Sequence, residues 1–491
     1  MADSTAGRGA GNVSPPRARQ PRTRVVRSGR NARIRKPISV ALPRSIAGTF
    51  LGGFVPAVAY HFGVMEVLED RGFVLRAGFR DRSAPRETGP PGIDLAVGSS
   101  AGAFFVTAAC AGLRPGDLVG TLEEEVSAAA RFQPRFLGEG KGLSRKTLEW
   151  ARKGPKASWS LRRTWKSWAA ESTLNMLFPL WRLEPMGEYL REEVLKGRDW
   201  EDLRTEAAIL AVDLNHPVTL ILGEREDPIL ELFRRQPVPP EAIHLILGSE
   251  GEKIAGAFEK AGVDAGHPVL APFRANPLTR NATLRVRGVP MAHAAIGSMA
   301  TYPFYHPVTL ARAEGAPYRL GHYTVQVVDG EDRNPFTTDV AEESGCDLVI
   351  VSSISAPYKY LHGFGSLAER GYSAMHQQKT AQSRDAKQED VMQAHRIQHA
   401  LYRASREILE SLDCGPEAAA RLHDAFERLA GIDHVRLRIY PDPDIAAENR
   451  ILRTLDPLEF TPKAVTRALD LGRMVARRVL AGYRFEFLEQ G

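Results

Sequence analysis

The stretch Leu95–Leu113, LAVGSSAGAFFVTAACAGL, carries no charged residue, although a quarter of the 491-residue chain is charged. It is long enough to read as a membrane span. Its centre, however, is Gly98-Ser99-Ser100-Ala101-Gly102, a G-x-S-x-G pattern. A buried strand over 93–97, a tight turn and a buried helix account equally well for the missing charge. The small residues at 98, 101 and 102 let the backbone bend. Ser100 then stands at a helix N-terminus, where free N–H groups and the helix dipole favour negative charge. At this chain's glycine and serine frequencies the pattern alone arises by chance in roughly one such chain in five, so its context has to decide. That context is a strand before, a helix after, and a glycine turn upstream.

The upstream turn is SIAGTFLGG, read as a strand from Ile46 into Gly52-Gly53. PAVAYHFGVMEVLEDRG follows as a helix, with Pro56 at its first position and Gly72 as its stop. Residues 76–92 form a polar loop. Further on, EAAILAVDLNHPVTLILG and CDLVIVSSIS read as buried strands. YTVQVVDG reads as a strand over Val325–Val328 ending in an Asp329-Gly330 turn. HVRLRIYP alternates as a half-buried strand. Thr461 and Pro462 open a final helix with one apolar face, Val465, Ala468, Leu469, Gly472, Val475, Ala476, Val479 and Leu480. Strands alternating with helices predict an α/β fold with a mainly parallel central sheet between helices.

Two regions are compositionally distinct. Residues 1–44 hold ten arginines and one lysine against Asp3 alone. They read as a disordered basic tail, either solvated or an arm for anionic lipid. Without aromatics between the charges, specific nucleic-acid binding is not expected. All six tryptophans lie within 135–200, and from Lys141 to Trp168 there are nine basic residues and a single acid, Glu149. This region reads as a Trp-rich basic helical insertion. It is either a surface insertion packed on the core or a lid that meets a membrane through Trp159, Trp165 and Trp168. Cys110, Cys346 and Cys414 are too few and too scattered for a disulfide framework or a zinc site, so no metal is expected. They suit a reducing compartment. No apolar segment follows the basic start as in a secretory signal. The expected location is cytoplasmic, with peripheral membrane contact.

LGGFVPAVAYHFGVMEVLEDRG, GSSAG and VVDGEDRNP, in this order, resemble the patatin-like phospholipase family. AVDLN at 211–215 and AIGSMATYPFYHPV before the Asp-Gly fit the same pattern. The resemblance implies a catalytic domain over 45–134 and 201–360, interrupted by the insertion at 135–200. A helical extension at 361–432 follows, and a strand and helix at 433–491 complete the domain. It further implies a Ser-Asp dyad without cofactor: Ser100 as nucleophile, Asp329 as general base, and Gly98 and Gly102 shaping the elbow. Backbone N–H groups of Gly52, Gly53, Phe54 and Ala101 would form the oxyanion hole. An aspartate is a weak base in neutral water, so the role requires burial beside Ser100. The implied substrate is a lipid or phospholipid ester, met at an anionic membrane surface.

The glycine loop departs from the family pattern. Gly53, Phe54 and Val55 stand where three glycines are usual, Ala57 replaces a basic residue and Val58 a later glycine. Two alternatives to the dyad hydrolase therefore stay open. One is a membrane-associated scaffold with impaired chemistry. The other is a Ser-His-Asp esterase drawing on His376 or His395. His61, inside the first helix, reads as a packing residue.

Overall fold

The computed structural model describes residues 38–40, 43–114, 182–216, 218–228, 230, 282–301, 305–320, 323–332, 337–355, 408, 418, 421–422, 435–442, 444–452, 454–455 and 462–488. The strands of the main sheet, in chain order, are β1 Ile46–Phe50, β2 Leu95–Ser99, β3 Glu206–Asp213, β4 Val218–Gly223, β5 Ala282–Val286, β6 Val308–Thr309, β7 Gln326–Asp329, β8 Leu348–Ser352 and β9 Val435–Ile439. The order β9-β8-β1-β2-β3 is parallel throughout. β4 runs antiparallel to β3 and parallel to β5. β7 runs antiparallel to both β3 and β6.

A parallel sheet is covered on both faces by its crossover elements, so its strands are apolar throughout rather than alternating. Every residue of β1, β2 and β8 is buried. Side chains still alternate between faces. Ile46, Phe50, Ala96, Ile209 and Ile350 join one core, and Ala47, Val97, Leu210, Val349 and Val351 the other. The helices that position the site are α1 Phe54–Asp70, α2 Ala101–Ala111, α3 Met291–Ser298, α4 Thr338–Glu343 and α5 Pro462–Leu480. α4 closes the second core with Val340 and Ala341.

α5 is the helix expected from the C-terminal apolar stripe, and it packs along α1. Gly63 lies against the Leu469 carbonyl and Gly472 against the Tyr60 carbonyl, so a Cβ at either would overlap backbone. Arg473 pairs with Glu66 across this contact. The C-terminal helix is thus joined to the helix that carries the glycine loop.

Several expected boundaries move. Ile38–Val40 is a strand paired in parallel with Tyr483–Phe485, so the tail as drawn to residue 44 is too long. The insertion as drawn to 200 also takes in core. Leu183, Met186, Leu190 and Val194 recur at helical spacing and are buried, and Trp200 is buried with its indole N–H donating to the Val289 carbonyl at 2.7 Å. α1 starts at Phe54, two residues before the expected Pro56, because Gly53 turns the chain at φ 142°. Pro56 still sits in the first turn, where its missing N–H breaks no helical bond. β2 ends at Ser99 rather than 97, held to the end by pairing with β3.

Residues 1–37, Trp159, Trp165, Trp168, His376, His395 and Thr461 lie outside the described residues. Among the described residues no helix is long and apolar enough to cross a membrane. No group of three or more His, Cys, Asp or Glu is placed there to hold a metal ion.

Candidate active site

Ser100 occupies the single residue between β2 and α2, with φ 53° and ψ −125°. A side chain rarely takes a positive φ, and such strain collects at functional positions. The two glycines of the pattern make the turn possible. A Cβ at Gly98 would lie 2.6 Å from the Gly102 carbonyl oxygen, and one at Gly102 would overlap the Phe50 carbonyl. α2 can therefore fold back against β2 and β1 only with both positions bare. The Ser100 N–H donates to Ser298 Oγ at the end of α3, at 2.9 Å.

β3 brings Asp329 to the elbow. Leu210 on β3 pairs with Ser99 on one edge and Ile221 on the other, while the next residue, Ala211, pairs with Asp329 and Leu220. β2 and β7 therefore lie end to end along the same edge of β3, running in opposite directions. Ser99 and Asp329 face consecutive residues. Only glycine fits at 330, where a Cβ would come 2.8 Å from Ser99 Oγ and overlap the Leu210 carbonyl. Asp329 is 3% exposed and Ser100 is 9% exposed, so both are shielded from bulk water. Asp329 Oδ1 accepts the Glu331 N–H at 2.9 Å, and Oδ2 accepts the Thr301 hydroxyl.

The glycine loop borders Ser100 from the other side. A Cβ at Gly52 would lie 2.6 Å from Ser100 Cβ and 2.9 Å from Ser100 Oγ. The Gly52 N–H donates to a carboxylate oxygen of Glu331, whose Cδ is 2.9 Å from the same point. Gly53 precedes α1, and Phe54 begins it, so the Phe54 N–H belongs to the first helical turn, where no intrahelical acceptor exists. Ala101 likewise opens α2.

His61 lies on α1 beneath this loop and does more than pack. Its Nε2 is 2.6 Å from the Leu51 carbonyl oxygen, and its Nδ1 is 2.7 Å from Ser352 Oγ. The Leu51 N–H donates to the Ser352 carbonyl at 3.0 Å. Burial holds the imidazole down at about 4, against an ordinary 6.5, with the Leu51 bond opposing weakly. At neutral pH it is uncharged. A carbonyl can only accept, so Nε2 carries the proton and Nδ1 accepts from the Ser352 hydroxyl.

Ser100, Asp329, Gly52, Gly53, Ala101, Gly98 and Gly102 thus gather at one end of the parallel strands. Ser298, Thr301, Glu331 and His61 also meet them there, and the sequence reading gave none of these four a chemical role. Ser298 and Thr301 fall within the AIGSMATYPFYHPV stretch quoted above, so a local signal existed. Glu331 follows the Asp-Gly turn directly. His61 offered no signal beyond its helical position. A family model described as patatin-like phospholipase matches residues 49–341, more than half of the chain. No curated protein matches it.

Proposed function

The chain belongs to the patatin-like phospholipase family, and on that footing we propose that it is a lipid acyl hydrolase acting through Ser100 with Asp329 as general base. The observation that supports this reading is the register on β3. Residues 99 and 329 face consecutive positions of β3, so Ser100, the residue after Ser99, and Asp329 come to the same end of the sheet although they are far apart in the chain, which supports the pairing.

In this reading Ser100 Oγ attacks the ester carbonyl while Asp329 takes its proton. The carbonyl oxygen becomes an oxyanion received by the Gly52 N–H, with the amides of Gly53 and Ala101 beside it. The intermediate collapses, the C–O bond to the alcohol breaks, and Asp329 returns the proton to the leaving alcohol. Water, deprotonated by Asp329, attacks the acyl-serine. The acid leaves and Ser100 regains its proton. Thr301 and the Glu331 N–H hold the Asp329 carboxylate in place, and Ser298 holds the elbow. The substrate class is a carboxylic ester of a lipid or phospholipid. Contact with an anionic surface through the basic tail and the Trp-rich region is part of the same proposal.

One observation favours a second reading. The Gly52 donor is occupied by Glu331, as expected of a scaffold whose chemistry has lapsed. A fluorophosphonate probe separates the two. Labelling of the wild type that disappears in Ser100→Ala supports the hydrolase. A folded wild type that is never labelled supports the scaffold. A phospholipid panel read by mass spectrometry then identifies the released acid.

A further inference from the structure

We propose that His61 is a positioning residue for the ester-cleaving site, fixing through the Leu51 carbonyl the peptide plane whose other end is the Gly52 N–H. This rests on the hydrolase reading above.

The peptide between Leu51 and Gly52 is planar, and in the trans form its C=O and N–H point in opposite directions. Holding the oxygen therefore aims the hydrogen. The Leu51 oxygen is held by His61 Nε2 at 2.6 Å, and the Gly52 N–H at the far side points to the space beside Ser100 that Glu331 Oε1 fills. The preceding N–H is also fixed, because Leu51 donates to the Ser352 carbonyl at 3.0 Å. The Ser352 hydroxyl in turn reaches His61 Nδ1 at 2.7 Å. Leu51, Ser352 and His61 form a closed ring of three hydrogen bonds that holds the peptide units on both sides of Leu51.

The imidazole has little freedom to turn. It is fully buried, with the rings of Phe50, Tyr60 and Phe105 at centroid distances of 5.5, 5.8 and 5.4 Å. The site has a specific need for such an anchor. From Phe54 onward the loop is helix, so its amides are oriented by α1 itself. Gly52 lies outside the helix and has no Cβ to restrict it, so its direction depends on what its peptide touches. Preorganised donors are effective because they need not reorient during reaction. The ring supplies that preorganisation from the rear of the loop.

The test compares His61→Phe, which keeps a ring but loses the donor, with His61→Gln, whose amide can still donate to the Leu51 oxygen. A soluble short-chain p-nitrophenyl ester gives kcat and KM, a fluorophosphonate gives the rate of Ser100 modification, and thermal melting reports folding. Losing an oxyanion donor outright costs about a hundredfold or more, so a misaimed one is expected to lower kcat about tenfold to a hundredfold. KM should stay within about twofold, Ser100 modification should slow in parallel, and His61→Gln should recover part of the loss. A folded His61→Phe with wild-type kcat, or with raised KM alone, overturns the proposal. So does a His61→Gln as impaired as His61→Phe. If His61→Phe does not fold, Ser352→Ala replaces it. That variant removes only the hydroxyl at Nδ1, should lower kcat with KM held, and overturns the proposal if kcat is unchanged. A wild type that neither cleaves the ester nor is labelled at Ser100 overturns the hydrolase reading and this proposal with it. A labelled wild type with insensitive His61 and Ser352 variants overturns this proposal alone.

Discussion

The carboxylate of Glu331 accepts the backbone N–H of Gly52, beside Ser100 Oγ. On the hydrolase proposal, an ester carbonyl has to displace that carboxylate to reach the donor. Hydrogen bonds to charged groups contribute about 1.5–3 kcal/mol. Glu331→Ala is therefore expected to raise kcat/KM at neutral pH by roughly tenfold, the smaller end of that range. Kinetics on a soluble ester, with the rate of fluorophosphonate labelling alongside, check this. A loss of activity in the folded variant would show that Glu331 supports the site rather than competing for it.

The dyad predicts that Ser100→Ala and Asp329→Asn each remove at least about a thousandfold of the ester hydrolysis while the protein stays folded. His376→Ala and His395→Ala should leave substantial activity. A histidine variant as damaged as Ser100→Ala, with an unchanged melting temperature, returns the Ser-His-Asp alternative.

Gly472→Ala tests the contact between α1 and α5. In an isolated helix, alanine is favoured over glycine by about 1 kcal/mol. Here a Cβ overlaps the Tyr60 carbonyl, so the helices must separate. Overpacking of this kind is expected to destabilise by about 1–3 kcal/mol. Denaturant midpoints measure it, and a gain in stability would refute the close packing.

His61 makes stability depend on acid in a defined window. Its folded-state value is depressed to about 4 from an ordinary 6.5. Above the upper value both folded and unfolded chains hold it neutral, and it contributes no pH dependence. Between 6.5 and 4 only the unfolded chain takes the proton, so stability is lost as the pH is lowered, by up to about 1.4 kcal/mol per unit. Below 4 both states are protonated and this slope ends. Urea unfolding from pH 7 to 4 should show a shallower loss in His61→Gln than in the wild type. Parallel slopes would place the histidine in water rather than in the core.

The two basic regions should respond differently to salt. The tail is charge without aromatics, and each basic residue reaching an anionic surface contributes about 1 kcal/mol. Screening shortens that reach to about 8 Å at physiological ionic strength. Deleting residues 1–37 should weaken binding to anionic liposomes at low salt and change little at high salt. Replacing Trp159, Trp165 and Trp168 with alanine should weaken binding at both, and lower activity on vesicles more than on a soluble ester. Co-sedimentation across a salt series reads this out. Equal loss of both activities in a folded variant would remove the Trp-rich region from membrane docking.

The elbow was legible in the chain because its causes are local. An uncharged strand, bare positions at 98 and 102 and a serine between them suggest strand, sharp turn and helix, and the glycine turn upstream supplies the context that decides for it. The parallel sheet was legible for a similar reason, since strands buried on both faces must be apolar throughout. The C-terminal helix showed itself through one apolar face. Boundaries were less legible where pairing set them. β2 runs on to Ser99 because β3 offers it partners, and Ile38–Val40 is a strand because Tyr483–Phe485 lies beside it.

What the sequence determined by itself was the class of fold and the turn at Ser100, because backbone sterics and hydrophobic period act between near neighbours. Asp329 was marked only by an Asp-Gly pair and a family likeness. Its place next to Ser99 exists because β3 is long enough to pair with two strands end to end. The ring of Leu51, Ser352 and His61, and the seat of Glu331 on Gly52, were decided by the tertiary structure alone. Each joins groups brought together by sheet register and helix packing, and no local pattern encodes which carbonyl a buried imidazole will meet.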